Sequence, residues 1–284
     1  MSSGHLPVPG RHLGLRWRPL ETADEDGVRM LLTRVLAVDR GCHPAPAELS
    51  PRLLADGGCD LETDSLAGFD PGGVLRAVAT VRRTGAVAHL AAELEPSWRG
   101  RGIGRALLRW QDARARGLGA ARTEIVVDEQ LIGRRRLCAA AGYAPVARLH
   151  ILEGTLAQLT RGTPAPAGGE PALTLHARAT GILEWWEAST LRARAVPSAP
   201  GAARTPPGEG GDVLTVEPAP GGEADPATLG ALLRLLPGAY ASREMVIRTD
   251  VDADLRPTVE GLQVAGMSVV GHAVRYRCEP EAGA

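Results

Sequence analysis

At 284 residues the chain is long enough for one large or two small domains, each with a core of its own. Its 32 basic and 33 acidic residues give a net charge of −1, which offers no general attraction to nucleic acid or to an anionic membrane surface. Four cysteines, Cys42, Cys59, Cys138 and Cys278, lie far apart with no C-x-x-C spacing and no His pair nearby, so neither a metal site nor a disulfide framework is expected and they read as buried thiols.

The first residues, MSSGHLPVPGRH, lack the apolar core of a signal peptide, and no apolar run approaches the roughly 18 residues of a membrane span. A soluble, cytoplasmic protein is the expectation. Every basic residue is Arg, and the chain has no Lys, no Asn and a single Phe, Phe69. The codons for the missing residues are AT-rich, so this bias points to a GC-rich genome, with an actinobacterial source as the natural guess.

Leu13 to Trp17 reads as a first strand. Thr22 or Asp24 can cap a helix carried by Val28, Leu31, Leu32, Val35 and Leu36 and ending near Gly41. The Pro-rich segment 42–46 leads to a short helix over 47–55, which stops at Gly57-Gly58. The period then changes to that of strands, predicted at 61–69, 73–82 and 86–95 and separated by the turn segments Asp70-Pro71-Gly72-Gly73 and Arg83-Thr84-Gly85. On the third strand Ala88, Leu90, Ala92 and Leu94 form one row. His89 and Glu93 share the other with Val87 and Ala91.

That strand runs into Arg99-Gly100-Arg101-Gly102-Ile103-Gly104, followed by an amphipathic helix over about 102–116. A row of backbone N–H groups at a helix N-terminus is a phosphate nest, and Arg99, Arg101 and Arg105 can add charge beside it. A dinucleotide fingerprint would need glycine where Arg105 stands. A strand at 123–127, a helix from about Leu131 to Ala141 ending in Gly142, then Tyr143 and a strand at 145–152 complete the first half. In that helix Arg134-Arg135-Arg136 is either a solvated face or a source of one cation for a phosphate.

Residues 160–171 read as a linker, and 197–211 as a second Pro- and Gly-rich, disordered segment. Between them Ile182, Trp185 and Trp186 mark the face of a helix, with the two Trp in core or interface. A strand is expected at 213–216. Leu94-Glu95-Pro96 is echoed by Val216-Glu217-Pro218, Val127-Asp128 by Val251-Asp252, and Gly142-Tyr143 by Gly266-Met267. The later matches keep an offset of 124, so the second half reads as a copy of the first. Its nest is damaged: residues 219–226 hold two prolines and two acids where phosphate would bind.

The order of elements and the full match of Arg99 to Gly104 to Gln/Arg-x-x-Gly-x-Gly/Ala resemble the GNAT acetyltransferase superfamily, as does AAGY at 140–143, similar to its "xxGF" element. The doubled arrangement resembles the tandem GNAT proteins of actinobacteria. The resemblance implies an α+β (mixed α/β) tandem fold in which a central, mostly antiparallel sheet is flanked by helices. Residues 13–153 would be the catalytic domain and 172–284 a shortened, degenerate copy. It also implies acetyl-CoA as acyl donor and a small-molecule or peptide amine as acceptor, with no metal, in a monomer or homodimer. The donor's pantetheine arm would pair with the backbone of Ala92 and Leu94, its diphosphate with Arg99, Gly100, Arg101, Gly102, Ile103, Gly104 and Arg105. Glu93 and His89 are the candidate bases for the incoming ammonium, and the Leu94 N–H is the candidate oxyanion donor. Where many relatives carry a Tyr as general acid this chain has Cys138, which leaves Tyr143 or solvent for that task or makes an acid unnecessary. A non-catalytic acyl-CoA-binding or scaffold protein is the competing reading.

Overall fold

A computed structural model describes residues 8–10, 14–39, 48–56, 59–162, 173–177, 183–187, 189–197, 213–218 and 245–279. The chain forms two compact units, one of residues 1–146 with 274–284, the other of residues 147–273. The division therefore falls at two places in the chain, whereas the sequence suggests one, at the 160–171 linker. Most of that linker and the damaged nest at 219–226 lie outside the described residues.

In the first unit β1 (Arg16–Arg18), β2 (Ser65–Phe69), β3 (Leu75–Thr84) and β4 (Val87–Leu94) form an antiparallel meander. Gly73 and Gly85, both at positive φ, make its turns. β5 (Arg122–Asp128) then pairs parallel with β4, after the crossover helix α4 (Ile103–Gly117). Helix α1 (Glu25–Asp39) buries Val28, Leu31, Leu32 and Val35 against Ala67, Leu75 and Val78 on one side of the sheet. On the other side α4 and α5 (Ile132–Ala140) pack Leu107, Trp110 and Cys138 against Leu66, Ala79 and Leu90. Between α1 and β2 the chain adds two short helices, α2 (Pro51–Asp56) and α3 (Leu61–Asp64). The latter corrects the strand expected from residue 61. Asp60 accepts the Glu62 N–H and caps a single helical turn before the strand begins at Ser65.

In the second unit β7 (Leu173–Ala177), β8 (Leu183–Glu187), β9 (Thr190–Pro197) and β10 (Val213–Pro218) again pair antiparallel in sequence, and β11 (Val246–Asp252) pairs parallel with β10. Trp185 and Trp186 thus lie in a strand and not on a helix. Cross-strand pairing with Leu175 and Thr174 on one side and with Ala193 and Leu191 on the other overrides the short apolar pattern, and Trp185 is fully buried. Helix α6 (Leu156–Gly162) follows β6 (Ala144–Thr155), and helix α7 (Arg256–Val264) leads to β12 (Ser268–Cys278).

The closing strands explain the double division. β11 is flanked by β6 of the first repeat, from Val246 opposite Thr155 to Asp252 opposite Leu149. The first unit takes residues 274–278 of β12, from the second repeat, next to β5. Arg277 Nη2 donates to Glu124 on β5 at 2.8 Å, and in the second unit Arg248 on β11 pairs with Glu153 on β6.

Candidate functional site

The cleft of the first unit follows from how β4 and β5 part. They pair only from Val87 opposite Arg122 to His89 opposite Glu124. The Ala86 carbonyl accepts the Ala121 N–H at 2.8 Å, so alternation turns the N–H and C=O of residues 88, 90, 92 and 94 toward the same side. Beyond His89 that side is a gap, and Ala92 and Leu94 present their backbone groups to it. The gap is a cavity of about 470 Å³ walled by Leu90–Leu94, Ile125–Val127, Leu131, Leu137 and the glycines of the nest.

Gly100 and Gly102 stand at φ 78° and 84°, the left-handed region that lets the chain turn back into α4. The first N–H groups of α4 have no acceptor within the helix, and its dipole makes that end partly positive. Gly104 serves packing: a Cβ there would lie 3.2 Å from Leu137 Cδ2. Ile103 is buried in the core. A second cavity, about 830 Å³, runs along α4 and shares Gly102, Arg105, Leu108 and Leu137 with the first. Arg101, Arg105, Arg109 and Arg116 line it, facing one carboxylate, Asp112.

The three expected arginines take different places. Arg105 lines both cavities. Arg101 stacks on the Trp98 ring at 4.5 Å and donates to Ser97 O. Arg99 grips Asp39 with two nitrogens, at 2.5 and 2.8 Å, and also donates to the Leu94 carbonyl at 3.3 Å.

Glu93 is 2% exposed. Its carboxylate is held by both terminal nitrogens of Arg134, one of them at 2.7 Å, and Arg134 reaches on to Asp39 at 3.3 Å. Ala91 packs with the α1 cluster, and Ala92 and Leu94 pack with the α4 cluster, so Glu93 points to the α1 side while α5 lies on the other. The Arg134 side chain therefore passes through the gap between β4 and β5. Its charge is upheld by Glu93 and Asp39 against the cost of burial. Asp39 closes α1, where the helix dipole disfavours a carboxylate by about 0.3–1 kcal/mol, and the two arginines compensate.

His89 lies four residues before Glu93, about 13 Å along the strand, opposite Arg82 and Glu124. The two candidate bases share a face of β4, but Glu93 lines the cleft and His89 lies where β4 and β5 are still paired. Cys138 lines the cleft, with burial pushing its thiol up to about 11 against the opposing pull of Arg134. Tyr143 is buried. Its hydroxyl donates to Asp112 at 2.5 Å and accepts from Thr123 at 3.0 Å, and burial together with Asp112 raises it well above the usual phenol value. Of the triple Arg, Arg135 bonds the Tyr276 hydroxyl and the Glu129 carbonyl, and Arg136 is exposed. Among the described residues no group of three or more His, Cys, Asp or Glu is placed to hold a metal ion, and no helix is long and apolar enough to cross a membrane.

Asp39 and the role of Arg134 were not foreseen from sequence. The available signal was an acid at the last position of a helix with no basic residue in its final turn.

No family model and no curated protein matches the chain. Solved structures do. A GCN5-related N-acetyltransferase from Sphaerobacter thermophilus superposes with a TM-score of 0.60 at 19% identity over 96% of each chain. A tandem GNAT protein from the clavulanic acid biosynthesis pathway superposes with a TM-score of 0.54 at 17% identity over 95% of this chain and 100% of its own.

Proposed function

We propose that this chain, which has the GNAT fold, is an acyl-CoA-dependent N-acetyltransferase that moves an acetyl group from acetyl-CoA to an amine by direct attack in a ternary complex. The observation that carries the reading is the continuity of the parted β4–β5 cleft with the glycine nest and the four-arginine groove. A phosphate-rich donor with a narrow apolar and amide-bearing arm fits that combination. The arm lies in the cleft against the backbone of Ala92 and Leu94, and the diphosphate lies on the N–H groups of the nest from Gly100 to Gly104, beside Arg105. The acceptor is a small molecule or peptide.

In this reading the Leu94 N–H meets the developing oxyanion. Glu93 receives the proton of the ammonium, directly or through water. His89, in the paired part of β4 outside the cleft lining, is the lesser candidate. Cys138, held as a thiol at neutral pH, can return a proton to the departing thiolate. Binding without transfer is the second reading, favoured by the ion pair that already occupies Glu93.

Calorimetry with acetyl-CoA tests the donor, with one site per chain expected. Glu93→Gln should not weaken that binding and should lower amine-dependent CoA release by roughly 10²-fold or more. Unchanged release would remove Glu93 from the mechanism, and no release from any amine in a broad panel would favour binding alone.

A further inference from the structure

Four charged groups in the cleft form an unbroken series: Glu93, Arg134, Asp39, Arg99. We infer that the series is a relay through which the donor controls Glu93, with Asp39 and Arg134 as positioning residues. The inference rests on the donor reading given above.

Arg99 holds two partners that the donor would contest. One is the Leu94 carbonyl, which faces the cleft and is the natural acceptor for an amide N–H of the donor arm. The other is Asp39, set against a diphosphate carried by the nest that begins at the next residue, Gly100. Two phosphate charges outweigh one carboxylate, so Arg99 turns to the donor. Asp39, whose side chain is only 5% exposed, then has Arg134 as its remaining arginine. A buried carboxylate does not stay without a cation. Arg134 already touches Asp39 at 3.3 Å through Nη2, the nitrogen it also lends to Glu93, so drawing the guanidinium closer to Asp39 shifts it off its Glu93 partner. It moves onto Asp39 and away from Glu93. Its side chain also runs through the gap that the donor arm enters, which pushes in the same direction.

Without donor, Glu93 is neutralised by Arg134 and is a poor base. With donor, its carboxylate faces the acceptor ammonium with Arg134 withdrawn. No atom is transferred within the relay; it only redistributes ion pairs. Glu48, Arg82, Arg105, His89 and Cys138 are the other ionisable groups around the cleft. Among them Arg82 is paired with Glu48.

The relay predicts a sign that a structural cluster would not give. Asp39 competes with the donor for Arg99, so Asp39→Asn should bind CoA about tenfold more tightly, equivalent to about 1.4 kcal/mol. In an Arg99→Ala background the same change should bring no gain. Glu93→Gln, which lets Arg134 rest on Asp39, should also tighten CoA binding, by less. Calorimetry with CoA on the full chain, checked by thermal melting, reads all of these. Should Asp39→Asn fail to fold, Glu93→Gln alone decides. Equal or weaker binding by the folded acid variants, or gains that persist without Arg99, overturns the relay and leaves the donor reading standing. A wild-type chain that does not bind CoA overturns both.

Discussion

Residues 122–142 of the first unit and 246–266 of the second follow one backbone path. The strands, the helices and the terminating glycines all keep the offset of 124: Arg122–Asp128 with Val246–Asp252, Ile132–Ala140 with Arg256–Val264, Gly142 with Gly266. Their turns share two bonds. Asp128 accepts from the Gln130 N–H at 2.8 Å and Asp252 from the Asp254 N–H at 3.0 Å, and the Leu131 and Leu255 N–H groups each return to the aspartate carbonyl at 3.0 Å. Even the parallel pairing that opens the cleft ends after three residues in both, since β10 and β11 pair only from Val213 to Thr215. The side chains differ. By the pairing register the repeat sets Thr215 where the first unit has His89, and by the offset of 124 it sets Thr258 where the first unit has Arg134. A scaffold held by local hydrogen bonds is common to both copies, while the arginine that meets Glu93 in the first has a threonine as its counterpart in the second.

The largest test of this comparison concerns the ion pairs to the closing strands. Arg248 is 2% exposed, so Arg248→Met, which strands Glu153, should cost about 3–5 kcal/mol in a urea melt. Arg277 is far more open to solvent, and Arg277→Met should cost about 1 kcal/mol or less. Equal losses would mean that the two units do not differ in how deeply they bury this pair. A smaller effect comes from the glycines. Gly142→Ala meets open space and should lose only the left-handed penalty of about 1–2 kcal/mol. Gly266→Ala should lose more, since its Cβ would lie 3.3 Å from Gln158 Cβ.

The smallest effect is one of pH. His150 and His272 of the second unit meet Nδ1 to Nδ1 at 3.0 Å, and the positions 124 residues away are Val274 and Arg148, so the first unit has no such pair. Burial, then His272 and Arg148, lower the His150 pKa below its usual value near 6.5. Its neutral form is the one the fold prefers. The stabilising contribution is therefore present above pH 6.5 and fades as the pH falls below it. Urea midpoints at pH 7 and pH 5 should diverge more for the wild type than for His150→Gln; equal divergence would assign the pH dependence to other groups.

The nest was legible because glycine spacing encodes a backbone demand, and Gly100 and Gly102 meet it at positive φ. The repeat was legible for the same reason, through Gly142 and Gly266. The strand at 183–187 was not, since a pair of Trp fits a helix face or a strand and only cross-strand partners decide. Nor was the Glu93–Arg134 pair, whose members are 41 residues apart and meet only through the gap between two strands. Local patterning carries no record of such a path.

The exchanged strands leave a signature that was readable all along. Glu124 and Arg248 are counterparts in the repeat, as are Glu153 and Arg277. Each pair of counterparts has opposite charge. If either copy closed on its own last strand, the equivalent positions would bring Glu124 beside Glu153 and Arg248 beside Arg277, and like charges across neighbouring strands repel. The crossed arrangement puts an acid against a base in both units. These four residues work as an address written in charge: each closing strand carries the sign that matches the unit in which it sits.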